Sequence, residues 1–571
     1  MQLIRKIVLS LLSVAIACTL LAGCNGGGAA GSTATTATLP TAKFTYVTNG
    51  LSVAFNGSSS INADGTTPAF AWNFGDGGTS TIATPIHVYA AAQSYTVILT
   101  ITDEYGNSAS NQQKVSVTAS NAVGLEPWTW VADSNTGNPK GSYGTEGTPS
   151  DSNAPGGRQG AVNWTDAQGR LWLFGGIGYD STTAFGLLND LWRFDPGTGQ
   201  WTWVNGSPTL NASGNYDSLG KPTAANMPGA RSNAVQWTDT SGNFWLFGGT
   251  GYDSTGTSGN LNDLWKFNSN AGQPTTGQWT WVAGSNLVNA VGSYGIQNTA
   301  SLANVPRARS YATSWTDKSG KLWLFGGQAL NADGTAGVAL NDLWVFDPAS
   351  NLWTWVGGSS TASNEAGAYG SHGVGSTANI PGARLAAQSW TDTSGNLWLF
   401  GGGGYDSAGN VGVLNDMWSF SPDTGVWTWV AGSNLAGAAG VVGTEGTPAE
   451  GLTPSARLET VGWTDAAGML WLFGGGASST GAGSGGSELS DLWKFNPNVG
   501  QPTTGQWTWV GGVSTADSQG VYSAKGVTSL YNAPGARVSG SAWVDTSGTF
   551  WLFGGAGVDS AGNTGDLNDL W

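Results

Sequence analysis

Six arginines, Arg158, Arg231, Arg309, Arg384, Arg457 and Arg537, each close a Pro-x-x-Arg phrase in six stretches of similar sequence. A ring of cations is a means of gripping an anion or polarising a substrate. Each stretch also supplies two acids, however: one in a Trp-Thr-Asp or Trp-Val-Asp phrase, and one just before Leu-Trp or Met-Trp, as with Asp239 and Asp263 beside Arg231. One cation against two acids in each unit predicts repeated structural ion pairs rather than a catalytic ring. A carboxylate pair for hydrolysis would have to break the sixfold pattern, and Glu365, Glu445, Glu450 and Glu459 do so. Only two histidines exist, His87 and His372, and the cysteines are Cys18 and Cys24. No cofactor, metal site or catalytic residue is assigned from these types and spacings.

The second candidate group is aromatic. A tyrosine recurs at a similar offset in five of the six units, Tyr143, Tyr216, Tyr294, Tyr369 and Tyr522, with Val442 in the remaining one. These tyrosines fall in segments of 23 or 24 residues between the Trp-Thr-Trp-Val phrase of one unit and the Pro-x-x-Arg of the next. Connections that long in a compact domain are usually functional, so the five tyrosines are candidates for a ligand face that stacks on sugars or grips a peptide. The competing reading is that each tyrosine pins its own segment to the sheet beneath.

What must position these residues is a repeat of about 75 residues. Each unit runs Pro-x-x-Arg, then Trp-Thr-Asp-x-x-Gly-x-Leu-Trp-Leu-Phe-Gly-Gly, then Leu-Asn-Asp-Leu-Trp, then Trp-Thr-Trp-Val, with small variations. This predicts four antiparallel strands, A to D, in a propeller blade. Leu-Trp-Leu-Phe does not alternate, so strand B has both faces dry, and Asp-x-x-Gly before it is a hairpin turn. Five framework tryptophans in each of six units, with Trp72, account for all 31. The chain enters the region with Trp128-Thr129-Trp130-Val131, a strand D without a blade, and ends at Leu567-Asn568-Asp569-Leu570-Trp571, a strand C without a strand D. Joining the two gives six blades closed by the N-terminal strand; the other reading is a longer propeller whose further blades follow Trp571.

The double glycines, such as Gly401-Gly402, with the Pro-x-x-Arg start and the aromatic strand D, resemble the kelch repeat across all six units. That family includes a copper radical oxidase related to galactose oxidase, whose histidines, tyrosines and thioether cysteine have no counterpart set here, so that chemistry is not expected. A sialidase-type Asp box is a near miss, since Asp392 precedes Gly395 by three positions.

Upstream, Met1 to Cys24 carries Arg5 and Lys6, an apolar run from Ile7 to Leu21, and Leu21-Ala22-Gly23-Cys24. The run is too short to span a bilayer and ends at small residues, as in a secretory signal. Its last four residues resemble the lipobox of bacterial lipoproteins, which implies removal of residues 1–23 and lipidation of Cys24. Asn25 rather than Asp follows, which under the family rule favours the outer membrane or cell surface. Residues 24–40 are mostly Gly, Ala, Ser and Thr with no charge, a flexible tether. Residues 41–119 alternate in strand fashion. Trp72-Asn73-Phe74-Gly75-Asp76-Gly77, His87-Val88-Tyr89 and Tyr95-Thr96-Val97 resemble a PKD domain, an Ig-like sandwich. Asp76 between glycines reads as a turn residue rather than a metal ligand.

The expected chain is therefore all-β: signal peptide, tether, PKD-like sandwich, and a kelch-type six-bladed propeller over 125–571. With formal net charge −16 and no basic track, nucleic acid is disfavoured as a partner. The expected role is a lipid-anchored, monomeric binding or adhesion protein whose propeller loop face recognises an extracellular glycan or protein. The alternatives are a carbohydrate-active enzyme, similar to a sialic-acid mutarotase or a lyase, and a purely structural envelope protein.

Overall fold

The computed structural model describes residues 39–571 apart from 50–51, 63–65, 90, 92, 118–126, 270–276, 332–333, 335, 362, 478–486, 499–504, 514–515 and 531. The chain divides into two compact units, Met1–Asn121 and Ala122–Trp571. The expected signal peptide, Cys24 and nearly all of the expected tether lie outside the described residues.

The first unit is a two-sheet sandwich. One sheet pairs β1 (Thr45–Asn49), β2 (Ser52–Asn56) and β5 (Ile86–Val88); the other orders β4 (Thr79–Ser80), β3 (Ala69–Asn73), β6 (Ser94–Thr102) and β7 (Ser108–Ser116). The alternation in β6 places Tyr95, Val97, Leu99 and Ile101 in a core with Phe44, Phe55 and Trp72. Asp76 does the turn work expected of it, accepting from the Gly78 amide at 2.9 Å, while its second oxygen meets His87 at 2.7 Å.

The second unit is a six-bladed propeller. In the first blade, strand A (Val162–Thr165), B (Leu171–Phe174), C (Leu191–Asp195) and D (Gln200–Asn205) form an antiparallel A-B-C-D sheet. The later blades follow the same plan, with strands A at Val235–Thr238, Thr313–Thr316, Gln388–Thr391, Val461–Thr464 and Ser541–Val544. Every residue of Leu171–Phe174 is buried, as expected of a strand between two blades.

Closure is visible in hydrogen bonds. In the sixth blade Val131 N–H donates to Leu570 O at 2.8 Å, and Leu570 N–H donates to Ala132 O at 3.2 Å. The N-terminal segment thus serves as strand D, and the terminal edges are paired rather than exposed. Strand A indoles stitch neighbours together: Trp237 Nε1 donates to Trp323 O, Trp315 to Trp398 O, Trp390 to Trp471 O and Trp463 to Trp551 O. Trp543 donates back to Trp172 O at 3.0 Å, joining the last blade to the first.

The double glycine has a geometric cause. Gly248 and Gly249 sit at φ 67° and 91°, and a side chain on Gly248 would meet Arg309 O of the next blade at 2.8 Å. Only a residue without Cβ lets strand B pass so close that Gly249 N–H donates to Arg309 O.

Candidate functional site

The six arginines are 1–2 % exposed, and each forks onto the aspartate at the start of its own strand C. Arg231 Nη1 and Nη2 reach Asp263 Oδ1 and Oδ2 at 2.8 and 2.7 Å, and its Nε donates to Gly229 O. The same pairs are Arg158–Asp190, Arg309–Asp342, Arg384–Asp416, Arg457–Asp491 and Arg537–Asp569. The other acid of the unit does not join them. Asp239 caps the A–B turn by accepting from Ser241 and Asn243 amides and takes the Trp245 indole at 2.8 Å. The repeated charges are thus committed to the scaffold, one acid to the arginine and one to the turn.

The tyrosines are committed to the same aspartates, and this corrects their expected place on a ligand face. Tyr143, Tyr216, Tyr294, Tyr369 and Tyr522 donate to Asp190, Asp263, Asp342, Asp416 and Asp569 at 2.6–2.7 Å. Each ring packs against the strand C and outer strand D tryptophans, as Tyr369 does on Trp418 and Trp429. The reason lies in the path of the long segments. Each runs along the outer edge of the blade it is about to enter: Ser150 bridges Trp201, Pro222 and Thr223 pair with Thr280 and Trp279, and Thr528 pairs with Thr129. They cover a sheet edge before crossing to strand A, and the tyrosine fixes that cover. Val442 in the fifth blade has no hydroxyl and is 45 % exposed.

With the repeated groups accounted for, the polar residues that differ from blade to blade gather round the propeller axis, where strand A begins. Two residues beyond each arginine the backbone turns left-handed: Gly160, Asn233, Tyr311, Ala386, Glu459 and Ser539 all have φ between 52° and 62°. Their peptides form a closed ring. Asn233 N–H donates to Gly160 O, Tyr311 to Asn233, Ala386 to Tyr311, Glu459 to Ala386, Ser539 to Glu459 and Gly160 to Ser539, at 2.8–3.0 Å. A left-handed tyrosine or glutamate is costly, and six mutual hydrogen bonds hold the conformation. Glycine marks only the first of these positions, Gly160, so sequence gives little warning of the ring.

Around this ring the blades diverge. The fifth contributes Glu459 and Glu488 and the sixth Asp566; the first reaches across with Gln159, whose amide donates to Asp566 Oδ1 at 3.0 Å. The third contributes Tyr311, and the second Thr250 and Asn260, joined at 3.0 Å. Glu459 Oε2 accepts from Ser539 at 2.7 Å, yet burial keeps its pKa above the ordinary glutamate range. Burial pushes Asp566 up to about 7 against the single amide of Gln159. Burial, then the neighbouring Asp517 charge, pushes Glu488 up to about 7 as well, and its Oε2 is buried with no hydrogen-bond partner among the described residues.

Of the off-pattern glutamates expected from sequence, Glu459 is thus at this mouth. Glu365 is half-buried in a segment beside the fourth blade, Glu450 is exposed, and Glu445 is half-buried, which raises its pKa. His372 is exposed with its ring edge-on to Trp429. Gln159, Tyr311, Glu488 and Asp566 escape a reading by motif. The usable signal is the column of the repeat that varies most while its neighbours stay fixed. Among the described residues no three His, Cys, Asp or Glu side chains are grouped to hold a metal ion.

Residues 37–119 match the family model of the PKD domain. Over 84 residues the chain is 43 % identical to the pre-pro-metalloprotease PrtV of Vibrio cholerae serotype O1, covering 15 % of this chain and 9 % of that protein. The crystal structure of the PKD1 domain from that metalloprotease is 40 % identical, covering 14 % of this chain and 100 % of the domain, with a TM-score of 0.14. On that family match, residues 37–119 are a PKD domain. The chain spans less than a tenth of the length of the curated relatives it matches. The propeller is similar to the structure of YjhT at 13 % identity and a TM-score of 0.41, over 73 % of this chain and 94 % of that one.

Proposed function

We propose that this is a surface-anchored binding protein, held by lipid on Cys24 and spaced by the tether and PKD domain, that recognises a glycan at the axial mouth of its propeller. The observation that carries the reading is the contrast in polar groups. The arginines and strand C aspartates written six times are satisfied by one another, whereas the carboxyls written once meet at the axis with hydrogen-bonding capacity to spare. Clustered carboxyls there repel anionic sugars and accept from the hydroxyls of neutral or amino sugars. A glycan array probed with the chain from Pro40 onward, wild type against a Glu488→Gln, Asp566→Asn double variant, tests this. Saturable binding to non-anionic glycans that the double variant loses supports it; a protein captured with no glycan bound overturns it.

A second reading has one specific support, since two carboxyls held near pH 7 are suited to general acid–base turnover of a glycan. Product release that Glu488→Gln abolishes while binding persists would favour the enzyme.

A further inference from the structure

The opposite end of the same axis carries a cavity that the acidic mouth does not use. Its volume is about 520 Å³, and its walls are the last residues of the six A strands, from Asn163 through Val544. The backbone ring closes it inward, and it opens where the A–B turns of successive blades touch, as Gly320 does beside Thr240. The size falls in the ~300–1,000 Å³ range of small-molecule sites.

Three features define what fits. None of the lining side chains carries a charge, so an ion entering would lose its hydration without a counter-charge. The walls are nevertheless rich in hydrogen-bonding groups that the scaffold leaves unused. The Gln236 amide and the Ser389 and Thr238 hydroxyls have no partner among the described residues, whereas Thr316 and Thr391 donate to the preceding strand A. An apolar ligand would strand those groups. Finally, the cavity is lopsided: where the first four blades place Asn163, Gln236, Ser314 and Ser389, the last two place Gly462 and Ala542. A Cβ on Gly462 would fall 2.8 Å from Gln388 Nε2, so the glycine is what lets that amide lie against the wall.

We propose that this funnel is a second binding site, for one neutral polyhydroxylated molecule of monosaccharide size, seated on Gln236 and Ser389 with its bulk over Gly462 and Ala542. A neutral sugar brings hydroxyls that both donate and accept and carbon faces for the tryptophans and small residues of the wall. The site is separate from the acidic mouth and would stand if that reading failed.

The test is calorimetric titration of the full-length protein with D-galactose, D-glucose and N-acetyl-D-glucosamine singly, with D-glucuronate as the charged control. One neutral sugar should saturate while glucuronate does not. Gln236→Leu and Ser389→Ala should each weaken that sugar about tenfold, and Ala542→Gln should abolish it by filling the space. Melting temperatures close to wild type would show that the variants fold, since neither Gln236 nor Ser389 contributes a side-chain hydrogen bond to the scaffold. Saturation by none of the neutral sugars, equal binding of glucuronate, or binding that survives both Gln236→Leu and Ala542→Gln overturns the proposal.

Discussion

Asp342 and Asp566 both lie on C strands, yet their surroundings are opposite. Asp342 is fully buried and receives the Arg309 fork, the Tyr294 hydroxyl and the Trp344 indole. Burial alone would raise its pKa, but the Arg309 charge and those hydrogen bonds outweigh it and hold the carboxyl below the ordinary range. Asp566 is also buried, has one neutral amide from Gln159, and is pushed up to about 7. The first carboxylate is surrounded by groups that exist to stabilise it. The second retains the desolvation cost with little to offset it, which is the arrangement expected where a ligand is to complete the set.

The sharpest way to break this contrast is to remove a scaffold cation. Arg309→Ala leaves Asp342 ionised, buried and without its counter-charge, and should cost about 3–5 kcal/mol of stability in urea unfolding. Asp566→Asn at pH 8 should cost nothing and raise stability, because it removes a charge that burial disfavours. Equal losses in the two variants would show that the mouth belongs to the scaffold.

A smaller effect is expected from the stitching indoles. Trp237→Phe deletes the donor to Trp323 O, 3.0 Å away, and part of a buried ring, for a loss of about 2–3 kcal/mol in the same measurement. The loop tyrosines come next. Tyr369→Phe should cost about 1 kcal/mol, since Asp416 keeps its arginine and its indole, and glycan binding should be unaffected. Loss of binding with stability intact would return the tyrosines to the ligand face.

The pH dependence is the gentlest test. Asp566 and Glu488 have folded pKa values above their unfolded ones, so the folded chain binds more protons between pH about 4 and 7. Their contribution to stability is complete below about pH 4 and is lost as the pH rises through 7. Melting temperature should therefore fall across that window, and the Glu488→Gln, Asp566→Asn double variant should show a flatter profile.

The blade plan was legible because each of its elements has a local signature. Leu-Trp-Leu-Phe announces a doubly buried strand, Asp-x-x-Gly a hairpin, and Trp128 to Val131 a strand D in search of a blade. The arginine pairing was half legible: an ion pair was expected, but which of two acids takes it depends on which strand lies beside Arg231. For the tyrosines the phrase alone allowed two places, and the path of the segment along the outer edge decided between them.

Sequence by itself determined the strands of each blade and offered a closing partner, because hydrophobic period and turn chemistry act over a few residues and repetition multiplies the signal. Only the tertiary structure decided that Gln159, Tyr311, Glu459, Glu488 and Asp566, drawn from four blades and more than 400 positions apart at the extremes, share one axial mouth. Closing a ring of blades brings to its centre residues that no local pattern connects, and the burial that alters their charge arises only once the ring is shut.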